Sequence, residues 1–579
     1  MLRRLLIAGL LAAAAAVPPA GAQRQLLPGL TYDRQIQFTT HGPVVLNVLV
    51  GPRPGGLWSL QPVLSNDGIV GTEPLTGLES RLAAGATVAG VNGDLFNAQT
   101  GSPTGMLMRG GALEHPPVRT RSSLGIDSAG NLLVARVQLL ATWQGSGQRR
   151  AITQLNDAPQ PNGVALFTPA WGGPTPTVPG SSVAVVLSSF TKLAQNQAAV
   201  GAVSQVVQDV PVGLPPGGAV IVARGTAALK LAQEAPAGQT IVVRPTLKPD
   251  WNGVVGAIGG GPVVVRNGRA VFRANELFTT EQLLSRAPRA AVGQLGDGRI
   301  VLVAVDGGQP GYSTGMTNFE LGQALVRLGA VTGMALGPGA PVAMAFDGQL
   351  LSRPSAGAEQ PISDALLFEY AGVYAAAPSD PAISPNGDAV ADKEELSYKL
   401  VRTSTVSVSL VGPDGAQRFS FAGPQQPGTY PFEFTGLKSD GTPDVEGAYR
   451  FVVNATDDLG RASAVEQDFS LNLTLGAPRA LGTPLTVPRT GPRAVVAFTL
   501  VHPASVTLRI ETQAGVVVRT IATNQQAAPG ELDVAWDGLT DAGTAVYSGR
   551  YVARAIATNE LGTVDLTQAF DVQRVANPR

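Results

Sequence analysis

The stretch Gly436-Leu-Lys-Ser-Asp-Gly-Thr-Pro-Asp-Val-Glu-Gly-Ala-Tyr449 returns as Gly538-Leu-Thr-Asp-Ala-Gly-Thr-Ala-Val-Tyr-Ser-Gly-Arg-Tyr551. Three glycines and the last tyrosine match at a spacing of 102 residues. Further upstream, Val406 matches Val506 at a spacing of 100, so a two-residue insertion or deletion separates the two parts. A fixed period with shared turn residues is typical of duplicated structural units. The C-terminal part of the chain is therefore predicted to hold two copies of one module.

Each copy has the pattern of short strands. Val-Ser-Val-Ser-Leu at 406–410 and Val-Thr-Leu-Arg-Ile at 506–510 alternate apolar and polar residues, as half-buried strands do. About 100 residues of such strands per copy predict an immunoglobulin-like (Ig-like) sandwich. The second copy resembles the Ig-like module of flagellar hook-capping proteins. The residues that carry this resemblance are Trp536-Asp-Gly538, Asp541-Ala-Gly543 and Ser548-Gly-Arg-Tyr551.

The first residues have the layout of a secretory signal peptide. Arg3 and Arg4 precede an apolar run at 5–17, and small residues at 20–22 suit cleavage after Ala22. The run is shorter than the roughly 20 apolar residues of a membrane span, and two prolines follow it, so cleavage is favoured over a retained anchor. We expect a secreted or extracytoplasmic protein with a signal peptide at 1–22, a large domain at 23–374 and Ig-like domains at 375–475 and 476–579.

Composition excludes several classes of function. The formal net charge of −1 provides no field that would hold nucleic acid or an anionic membrane surface. Cysteine is absent, which excludes disulfides, thiol catalysis and Cys-based zinc sites. The three histidines, His41, His115 and His502, are scattered, so we expect no metal site built on them and no cofactor. Acid–base chemistry is expected to fall to carboxylates.

The large domain mixes alternating strands with a few helical stretches, and 70 glycines and 45 prolines favour short strands with frequent turns. We predict an α+β domain with mixed β-sheets, followed by two all-β immunoglobulin-like sandwiches. The clearest helix is predicted at 318–328, capped by Asn318. Segments starting at Arg121 and Arg289 each predict strand, tight turn and strand, either as an internal duplication or as two common hairpins.

Four segments of the large domain can carry chemistry. The first segment contains Asn92, Gly93 and Asp94. The second holds Gly259, Gly260 and Gly261, whose backbone N–H groups can approach an anion closely. In the third, Arg289 precedes Asp306, a carboxylate at the end of an apolar run and so at a rigid edge. The fourth ends in the helix that carries Glu320. Arg121 or Arg289 can bind a phosphate through two parallel hydrogen bonds. Each segment alone is equally compatible with an ordinary turn.

The order of these segments resembles the phosphodiester glycosidase family, which includes the enzyme that uncovers mannose 6-phosphate signals by removing N-acetylglucosamine. The matching series, within 92–366, is Asn92-Gly-x-x-Phe96, Gly259-Gly-Gly-Pro262, Pro288-Arg-x-Ala-Val-Gly293, Val305-Asp-Gly307 and Ser313-x-Gly-Met-Thr-x-x-Glu-Leu321. The resemblance implies a cleft for a glycan or sugar-phosphate substrate. Its implied catalytic residues are Asp306 and Asp94. The implied substrate-binding residues are Asn92, Gly93, Arg121, Gly259, Gly260, Gly261, Arg289 and Glu320.

The chain departs from the family pattern where the chemistry is expected. The family's Asp-Gly-Gly-Gly-Ser reads Gly337-Pro-Gly-Ala-Pro341, its His-Pro-Arg-Thr reads Ala287-Pro-Arg-Ala290, and its Asp-Gly-Arg reads Asp306-Gly-Gly308. The family's Asn-Gly-Gly-Phe-Phe reads Asn92-Gly-Asp-Leu-Phe96, which adds a carboxylate. Glycoside cleavage usually needs two carboxyl groups. If the protein is an enzyme, Asp94 or Asp347 is expected to be the partner of Asp306.

Three functions remain open at this point. The protein is an exported hydrolase of sugar-1-phosphodiesters, a glycan-binding envelope protein without turnover, or a structural surface protein. In the second case the Ig-like copies serve as spacers or dock to cell-envelope components. A further alternative concerns Asp380, Asn386, Asp388 and Asp392, whose oxygen atoms either hold Ca²⁺ or belong to a polar linker with an Asn-Gly turn.

Overall fold

The computed structural model describes residues 23–272, 274–387, 390–482 and 484–575, except the side chain of Ala477. The expected signal peptide at 1–22 lies outside these residues. The chain divides into two compact units, Met1–Ala371 and Gly372–Arg579. The finer division of the sequence at 374 and 475 stays a prediction.

The first unit is built mainly from short strands. In chain order they are β1 (Arg24–Leu27), β2 (Leu30–Thr39), β3 (Gly42–Gly51), β4 (Trp58–Leu64), β5 (Thr87–Asn92), β6 (Leu107–Arg109), β7 (Ala112–His115), β8 (Ser122–Asp127), β9 (Leu132–Arg136), β10 (Gln138–Gln144), β11 (Arg150–Ile152), β12 (Gln154–Leu155), β13 (Val164–Phe167), β14 (Ser182–Phe190), β15 (Ala199–Gln208), β16 (Ala219–Arg224), β17 (Thr240–Lys248), β18 (Val254–Ile258), β19 (Val263–Arg266), β20 (Arg269–Ala270), β21 (Arg289–Leu295), β22 (Ile300–Val305), β23 (Ala330–Ala335), β24 (Met344–Phe346), β25 (Gln349–Leu350) and β26 (Asp364–Tyr370). The helices are α1 (Leu75–Leu82), α2 (Thr226–Glu234), α3 (Thr280–Leu284) and α4 (Asn318–Arg327), with single 3-10 turns at Ser65–Asp67 and Pro169–Trp171.

Four sheets make up the first unit. Two have eight strands, in the orders β1-β2-β3-β22-β21-β23-β19-β20 and β11-β10-β17-β15-β14-β16-β13-β12. Two have five strands, in the orders β7-β6-β18-β8-β9 and β25-β24-β5-β26-β4. The two hairpins predicted from the sequence are confirmed, because β8 pairs antiparallel with β9 and β21 pairs antiparallel with β22.

One edge of the first eight-stranded sheet collects several of the predicted segments. Strand β21 is antiparallel to both β22 and β23, so β22 and β23 end at the same edge, where β21 begins. Strand β19 is antiparallel to β23 and also begins there. Asp306, Gly337, Arg289 and Pro262 consequently lie along one edge. Every residue of β21 and β22 is buried, so this edge rests on a rigid core.

Helix α4 covers one face of this sheet. Leu321 and Leu325 pack in the same apolar cluster as Val303 and Val305, which explains the helical spacing of the apolar residues. The predicted helix is confirmed, but its predicted cap is wrong. Thr317, not Asn318, is the N-cap, because its side chain accepts a hydrogen bond from the backbone N–H of Glu320.

The second unit repeats one arrangement of strands. Its strands are β27 (Tyr374–Ala375), β28 (Ala382–Ile383), β29 (Glu394–Leu400), β30 (Ser404–Val411), β31 (Gln417–Gln425), β32 (Gly428–Phe434), β33 (Gly447–Asp457), β34 (Ala462–Leu471), β35 (Leu475–Ala480), β36 (Leu485–Val487), β37 (Arg493–Leu500), β38 (Ala504–Thr512), β39 (Val517–Ala527), β40 (Gly530–Trp536), β41 (Gly549–Asn559) and β42 (Gly562–Arg574). Each half of this unit has one three-stranded and one five-stranded sheet. In the first half the orders are β27-β29-β32 and β28-β34-β33-β30-β31, and in the second half they are β35-β37-β40 and β36-β42-β41-β38-β39, so the strand order is the same in both halves.

The register of the sequence repeat appears directly in these strands. Strands β33 and β41 begin at Gly447 and Gly549, which are 102 residues apart. The stretches at 406–410 and 506–510 lie inside β30 and β38, so both strand predictions are confirmed. Buried Trp536 packs against Tyr551 and Phe570. The described residues are thus mostly β, and the helices found among them are short and lie in the first unit. Within the part of the chain that the structure describes, no helix combines the length and apolar character of a bilayer span.

Candidate functional site

Asp306 follows the buried strand β22 and lies at the centre of a polar network. Its Oδ1 accepts hydrogen bonds from Nδ2 of Asn47 at 2.9 Å and from the backbone N–H of Arg353 at 3.1 Å. Its Oδ2 accepts one from the hydroxyl of Tyr312 at 2.9 Å. Tyr32 extends the network, since its hydroxyl donates to Oδ1 of Asn47 at 2.9 Å. The carboxyl group is thereby fixed in orientation from three sides.

The surroundings of Asp306 favour proton transfer near neutral pH. The residue is only 3% exposed. Burial raises the pKa of its carboxyl group to about 6, against the lowering effect of the hydrogen bonds from Tyr312, Arg353 and Asn47 and of the charge on Arg34. A carboxyl with such a pKa is present in both protonation states near neutral pH, as a general acid or base must be.

Two arginines surround the ring of Tyr312. Nη2 of Arg34 donates to the Tyr312 hydroxyl at 3.2 Å, and its guanidinium lies 5.7 Å from the ring centroid. The guanidinium of Arg353 lies over the same ring at 4.5 Å. We name Arg34, Tyr312 and Arg353 the arginine–tyrosine cluster. It places one cation on the hydroxyl that contacts Asp306 and a second cation over the ring.

Arg289 starts β21 but lies on the other face of the sheet from Asp306. It pairs with Val305 across the hairpin, and the side chain of the next residue, Asp306, points to the opposite face. Nε of Arg289 donates to the carbonyl of Met316 at 3.0 Å, and Nη2 donates to the carbonyl of Ser285 at 2.7 Å. Burial lowers its pKa to about 10. Arg289 therefore connects, through these two hydrogen bonds, the segment that follows α3 and the loop that precedes α4.

Asp94 forms a second buried group of carboxylates with Asp364, at the start of β26. The backbone N–H of Asp94 donates to Oδ1 of Asp364 at 2.8 Å. Burial, followed by the charge of Asp94, raises the pKa of Asp364 to about 8. Burial also raises the pKa of Asp94, while Arg121 acts against this rise. Oδ1 of Asp94 and Oδ2 of Asp364 are both buried without a hydrogen-bond partner.

Glycines surround the carboxyl group of Asp94. A Cβ atom added to Gly105 or Gly259 would meet Oδ2 of Asp94, and the backbones of these two glycines pass so close that a Cβ on Gly259 would lie 2.8 Å from Cα of Gly105. A Cβ on Gly337 would lie 2.8 Å from the backbone oxygen of Asp94. Gly337, which stands where the family pattern has Asp, therefore lies against Asp94, which stands where the family pattern has Gly.

The Gly-Gly-Gly segment leads into a site built around Glu276. The Glu276 carboxylate accepts hydrogen bonds from the backbone N–H of Ser122 at 2.6 Å, the Ser122 hydroxyl at 2.8 Å and the backbone N–H of Val263 at 2.9 Å. Gly261 has a φ of 99°, and a Cβ there would lie 2.8 Å from this carboxylate. Gly260, with a φ of 147°, packs against the carbonyl of Ala335. Both glycines are needed for close packing.

Arg121 is a predicted binding residue whose charge acts on Asp94. Its Nη2 donates to the hydroxyl of Thr104 at 2.8 Å, and its guanidinium lies 5.7 Å from the ring centroid of Phe278. The Thr104 hydroxyl in turn lies 3.4 Å from Oδ2 of Asp94. Arg121 is half-buried, and its predicted role in substrate binding stays a prediction.

Three other predicted binding residues have structural partners. Nδ2 of Asn92 donates to the carbonyl of Gly337 at 2.8 Å, which anchors the loop after β23. Gly93 lies against the Asp364 carboxylate, where a Cβ would collide. Glu320 completes the capping box of α4 with Thr317 and forms an ion pair with Arg286. Their predicted roles in substrate binding stay predictions.

The two predicted catalytic carboxylates lie in separate networks. No hydrogen bond joins Asp94 to Asp306 among the residues described, and the two residues follow strands of different sheets, β5 and β22. Asp347 lies in the turn between β24 and β25, where its charge acts on Glu79 of α1. Sequence reasoning missed Asp364, Glu276, Arg34 and Tyr312. Asp364 carried a signal, because it is the first residue of a buried apolar strand, as Asp306 directly follows one.

Among the residues that the structure covers, no three His, Cys, Asp or Glu side chains converge on one point. In the 380–392 segment, Asp388 lies outside the described residues. Asp392 accepts hydrogen bonds from the backbone N–H groups of Asn386 and Gly387 at 2.9 and 2.8 Å, while the backbone N–H of Asp380 donates to Glu394. Calcium binding in this segment stays a prediction.

Comparison with known families confirms both resemblances seen in the sequence. Residues 188–369 match the family model described as phosphodiester glycosidase, and residues 486–560 match the FlgD Ig-like domain. The first match includes Arg289, Asp306 and Asp364. A comparison with curated proteins found no match.

Among solved structures, a hypothetical protein from Synechocystis is similar at 26% identity with a TM-score of 0.50, covering 59% of this chain and 62% of the other. The chain therefore spans less than two thirds of that protein. A candidate exported protein of Burkholderia pseudomallei is similar at 21% identity and a TM-score of 0.46, over 56% and 74% of the two chains. The catalytic domain of zebrafish N-acetylglucosamine-1-phosphodiester alpha-N-acetylglucosaminidase, auto-inhibited by its pro-peptide, is similar at 14% identity and a TM-score of 0.32, over 60% and 85%.

Proposed function

We propose that the first unit binds and hydrolyses a sugar-1-phosphodiester of an extracytoplasmic glycan, with Asp306 as the acid–base group. The observation that carries this proposal is the position of Asp306, a buried carboxyl with a pKa of about 6 next to the arginine–tyrosine cluster. The match of residues 188–369 to the phosphodiester glycosidase family supports the class of substrate.

In this proposal, the proton moves through Tyr312. Asp306 is buried, whereas Tyr312 is partly exposed and its hydroxyl donates to Oδ2 of Asp306. When the carboxyl group is protonated, this hydrogen bond reverses: Asp306 passes its proton to the Tyr312 oxygen as the hydroxyl proton moves to the leaving oxygen of the substrate. Water adds to the sugar carbon that loses this oxygen, and the proton that the water releases restores the carboxyl group. Asn47 and the backbone of Arg353 hold Oδ1 in place and stabilise the carboxylate that remains.

A second candidate is glycan binding without turnover. It is favoured by the position of Asp94, which lies against Gly105, Gly259 and Asp364 in a network separate from that of Asp306, because a glycosidase usually needs two carboxyl groups that flank the same bond. In this case the arginine–tyrosine cluster and Asp306 serve recognition only.

One assay separates the two candidates. Turnover and binding of a chromogenic sugar-1-phosphodiester are measured for the wild type, Asp306→Asn and the control Asp297→Asn, an exposed carboxylate in the turn of the same hairpin. Hydrolysis requires turnover in the wild type and the control, with at least a hundredfold loss in Asp306→Asn. Binding without product in all three supports the second candidate. Equal turnover in all three excludes Asp306 as the acid–base group.

The remaining parts of the proposal concern export and the second unit. Export rests on the signal-peptide pattern of residues 1–22 and is tested by locating the protein in cell fractions, where retention in the cytoplasm would exclude it. Both modules of the second unit are proposed to be Ig-like sandwiches that act as spacers, because the first module has the same strand order as the second. Deletion of residues 372–579 is then expected to leave turnover by the first unit unchanged.

A further inference from the structure

We propose that the arginine–tyrosine cluster is a phosphate-binding site, in which Arg34 and Arg353 hold one phosphoryl group above the ring edge of Tyr312. This inference rests on the proposed function for the nature of the natural ligand. It assigns phosphate recognition to residues that lie on the Asp306 side of the sheet, in place of the Arg289 side.

The first argument is charge. Neither Arg34 nor Arg353 forms an ion pair with an Asp or Glu side chain of the described ranges, whereas several other arginines of the first unit do. Arg81, Arg109, Arg150 and Arg286 each have a carboxylate within 3.0 Å. Asp306 is the acidic group next to the cluster, and its two oxygens already accept hydrogen bonds from Asn47, Arg353 and Tyr312. The cluster therefore carries a net positive charge of two when Asp306 is protonated and of one when it is ionised, and this charge is available for an anion.

The second argument is that both guanidinium groups are already held in place before a ligand binds. The guanidinium of Arg353 lies 4.5 Å from the Tyr312 ring centroid, and that of Arg34 is held by a 3.2 Å hydrogen bond to the Tyr312 hydroxyl. Contacts of a guanidinium with an aromatic ring restrict its rotamers before a ligand binds, so less conformational entropy is lost on binding. Planar guanidinium groups suit phosphate because they donate two parallel hydrogen bonds to it.

The third argument is the backbone that presents these side chains. The Ser313 hydroxyl donates to the backbone oxygen of Asp306 at 2.5 Å and accepts from the backbone N–H of Val45 at 3.0 Å, which closes the 306–313 loop onto β3. Nε2 of Gln309 donates to the carbonyl of Pro354 at 2.9 Å and joins the same loop to the segment carrying Arg353. Arg34 projects from β2, the neighbour of β3. Three distant segments are thus fixed around one ring.

By contrast, Arg289 is less suited to an incoming phosphate. It is 2% exposed, and its Nε and Nη2 already donate to backbone carbonyls. A ligand would have to replace these bonds inside the core. The exposed Arg353 and half-buried Arg34 can be reached without such a change.

The test measures binding of inorganic phosphate to the full chain by calorimetry at constant ionic strength. We expect Arg34→Gln and Arg353→Gln each to weaken phosphate binding at least tenfold, with the folded state checked by circular dichroism. The matched control is Arg299→Gln, an exposed arginine in the turn between β21 and β22. Asp306→Asn is expected to strengthen phosphate binding at neutral pH, because it removes the carboxylate charge next to the two arginines.

The outcomes separate this inference from the proposed hydrolysis. Phosphate binding that depends on Arg34 and Arg353 supports the site even if no sugar phosphodiester is turned over. No binding by the wild type, or equal binding by Arg353→Gln and Arg299→Gln, overturns the site even if turnover is observed. If the Arg34→Gln variant does not fold, phosphate binding by Arg353→Gln decides whether the site exists. This variant is expected to fold, because the Arg353 side chain is exposed and only its backbone N–H donates to Asp306.

Discussion

The hydroxyl of Tyr312 donates a 2.9 Å hydrogen bond to Oδ2 of Asp306, and the same hydroxyl accepts one from Arg34 at 3.2 Å. Tyr312 thus connects a buried carboxyl group to a cation at the surface. This position makes Tyr312 the side chain through which the proposed acid–base group acts on a substrate. It also means that changes at Tyr312 should alter the titration of Asp306.

We expect Tyr312→Phe to reduce turnover of a sugar phosphodiester at least tenfold and to shift the pH profile upward. The hydrogen bond from Tyr312 lowers the pKa of Asp306, so its loss moves that pKa above about 6. The measurement is kcat/KM between pH 5 and 8. This substitution removes only the hydroxyl and keeps the ring, so an unchanged pH profile would show that the contact with Asp306 has no part in proton transfer.

Sulfate binding at the arginine–tyrosine cluster should weaken as the pH rises through about 6. Below this pH Asp306 is mainly neutral, and above it the carboxylate opposes an anion held by Arg34 and Arg353. The other groups facing Asp306 keep their charge in this range, since the pKa of Tyr32 is raised to about 12 and that of Tyr312 is also raised by burial. Sulfate itself does not titrate here, unlike phosphate.

The expected loss of sulfate affinity between pH 5 and 7.5 is about tenfold, the effect of one nearby charge at the protein surface. Asp306→Asn carries no titrating group at this position and should bind sulfate equally at both pH values. The measurement is calorimetric titration at constant ionic strength. A pH dependence that persists in Asp306→Asn would assign the effect to another group.

Asp364 should make the first unit less stable as the pH rises from about 4 to 8. Burial and the charge of Asp94 raise its pKa to about 8 in the folded state, whereas an unfolded chain has an Asp pKa of about 3.9. Between these values the folded state keeps a proton that the unfolded state has released, so the free energy of unfolding falls with rising pH. This contribution is complete at low pH and is lost by pH 8.

Asp364→Asn should remove this dependence. The free energy of unfolding of the variant, relative to wild type, is expected to increase by on the order of 2 kcal/mol between pH 5 and 8. Unfolding in urea is followed by tryptophan fluorescence, because four of the five tryptophans lie before residue 372. Asp297→Asn serves as control, since its exposed partner Arg299 lowers the pKa of Asp297. Equal shifts in both variants would contradict the assignment to Asp364.

Local patterns in the sequence predicted the strands and the position of Asp306. Alternating residues at 406–410 and 506–510 give β30 and β38, and the apolar run at 300–305 gives β22 with Asp306 at its end. Turn residues and side-chain alternation act over a few residues, so one sequence suffices to detect them.

The partners of Asp306 could not be predicted in this way. Arg34 and Tyr312 are 278 residues apart, and they meet only because β3 inserts next to β22 in the sheet order. Asp364 likewise meets Asp94 across 270 residues. The face of the sheet on which Arg289 lies depends on the pairing of Arg289 with Val305. This pairing cannot be deduced from the sequence pattern. Long-range strand pairing therefore decides which of the predicted residues share a site.

Gly259→Ala should destabilise the first unit more than a similar change at an open glycine. A Cβ at Gly259 would meet Oδ2 of Asp94 and lie 2.8 Å from Cα of Gly105, and the backbone on the other side cannot move without disturbing β18. Overpacking of this kind costs about 1 to 3 kcal/mol. Gly213→Ala is the control, because nothing lies within 4 Å of its Cβ position, and we expect a change of less than about 0.5 kcal/mol there. Urea unfolding gives both values. Equal stability of the two variants would show that the close approach of Gly259 to Asp94 is not maintained in solution, and the glycine would then have to be explained by ligand binding.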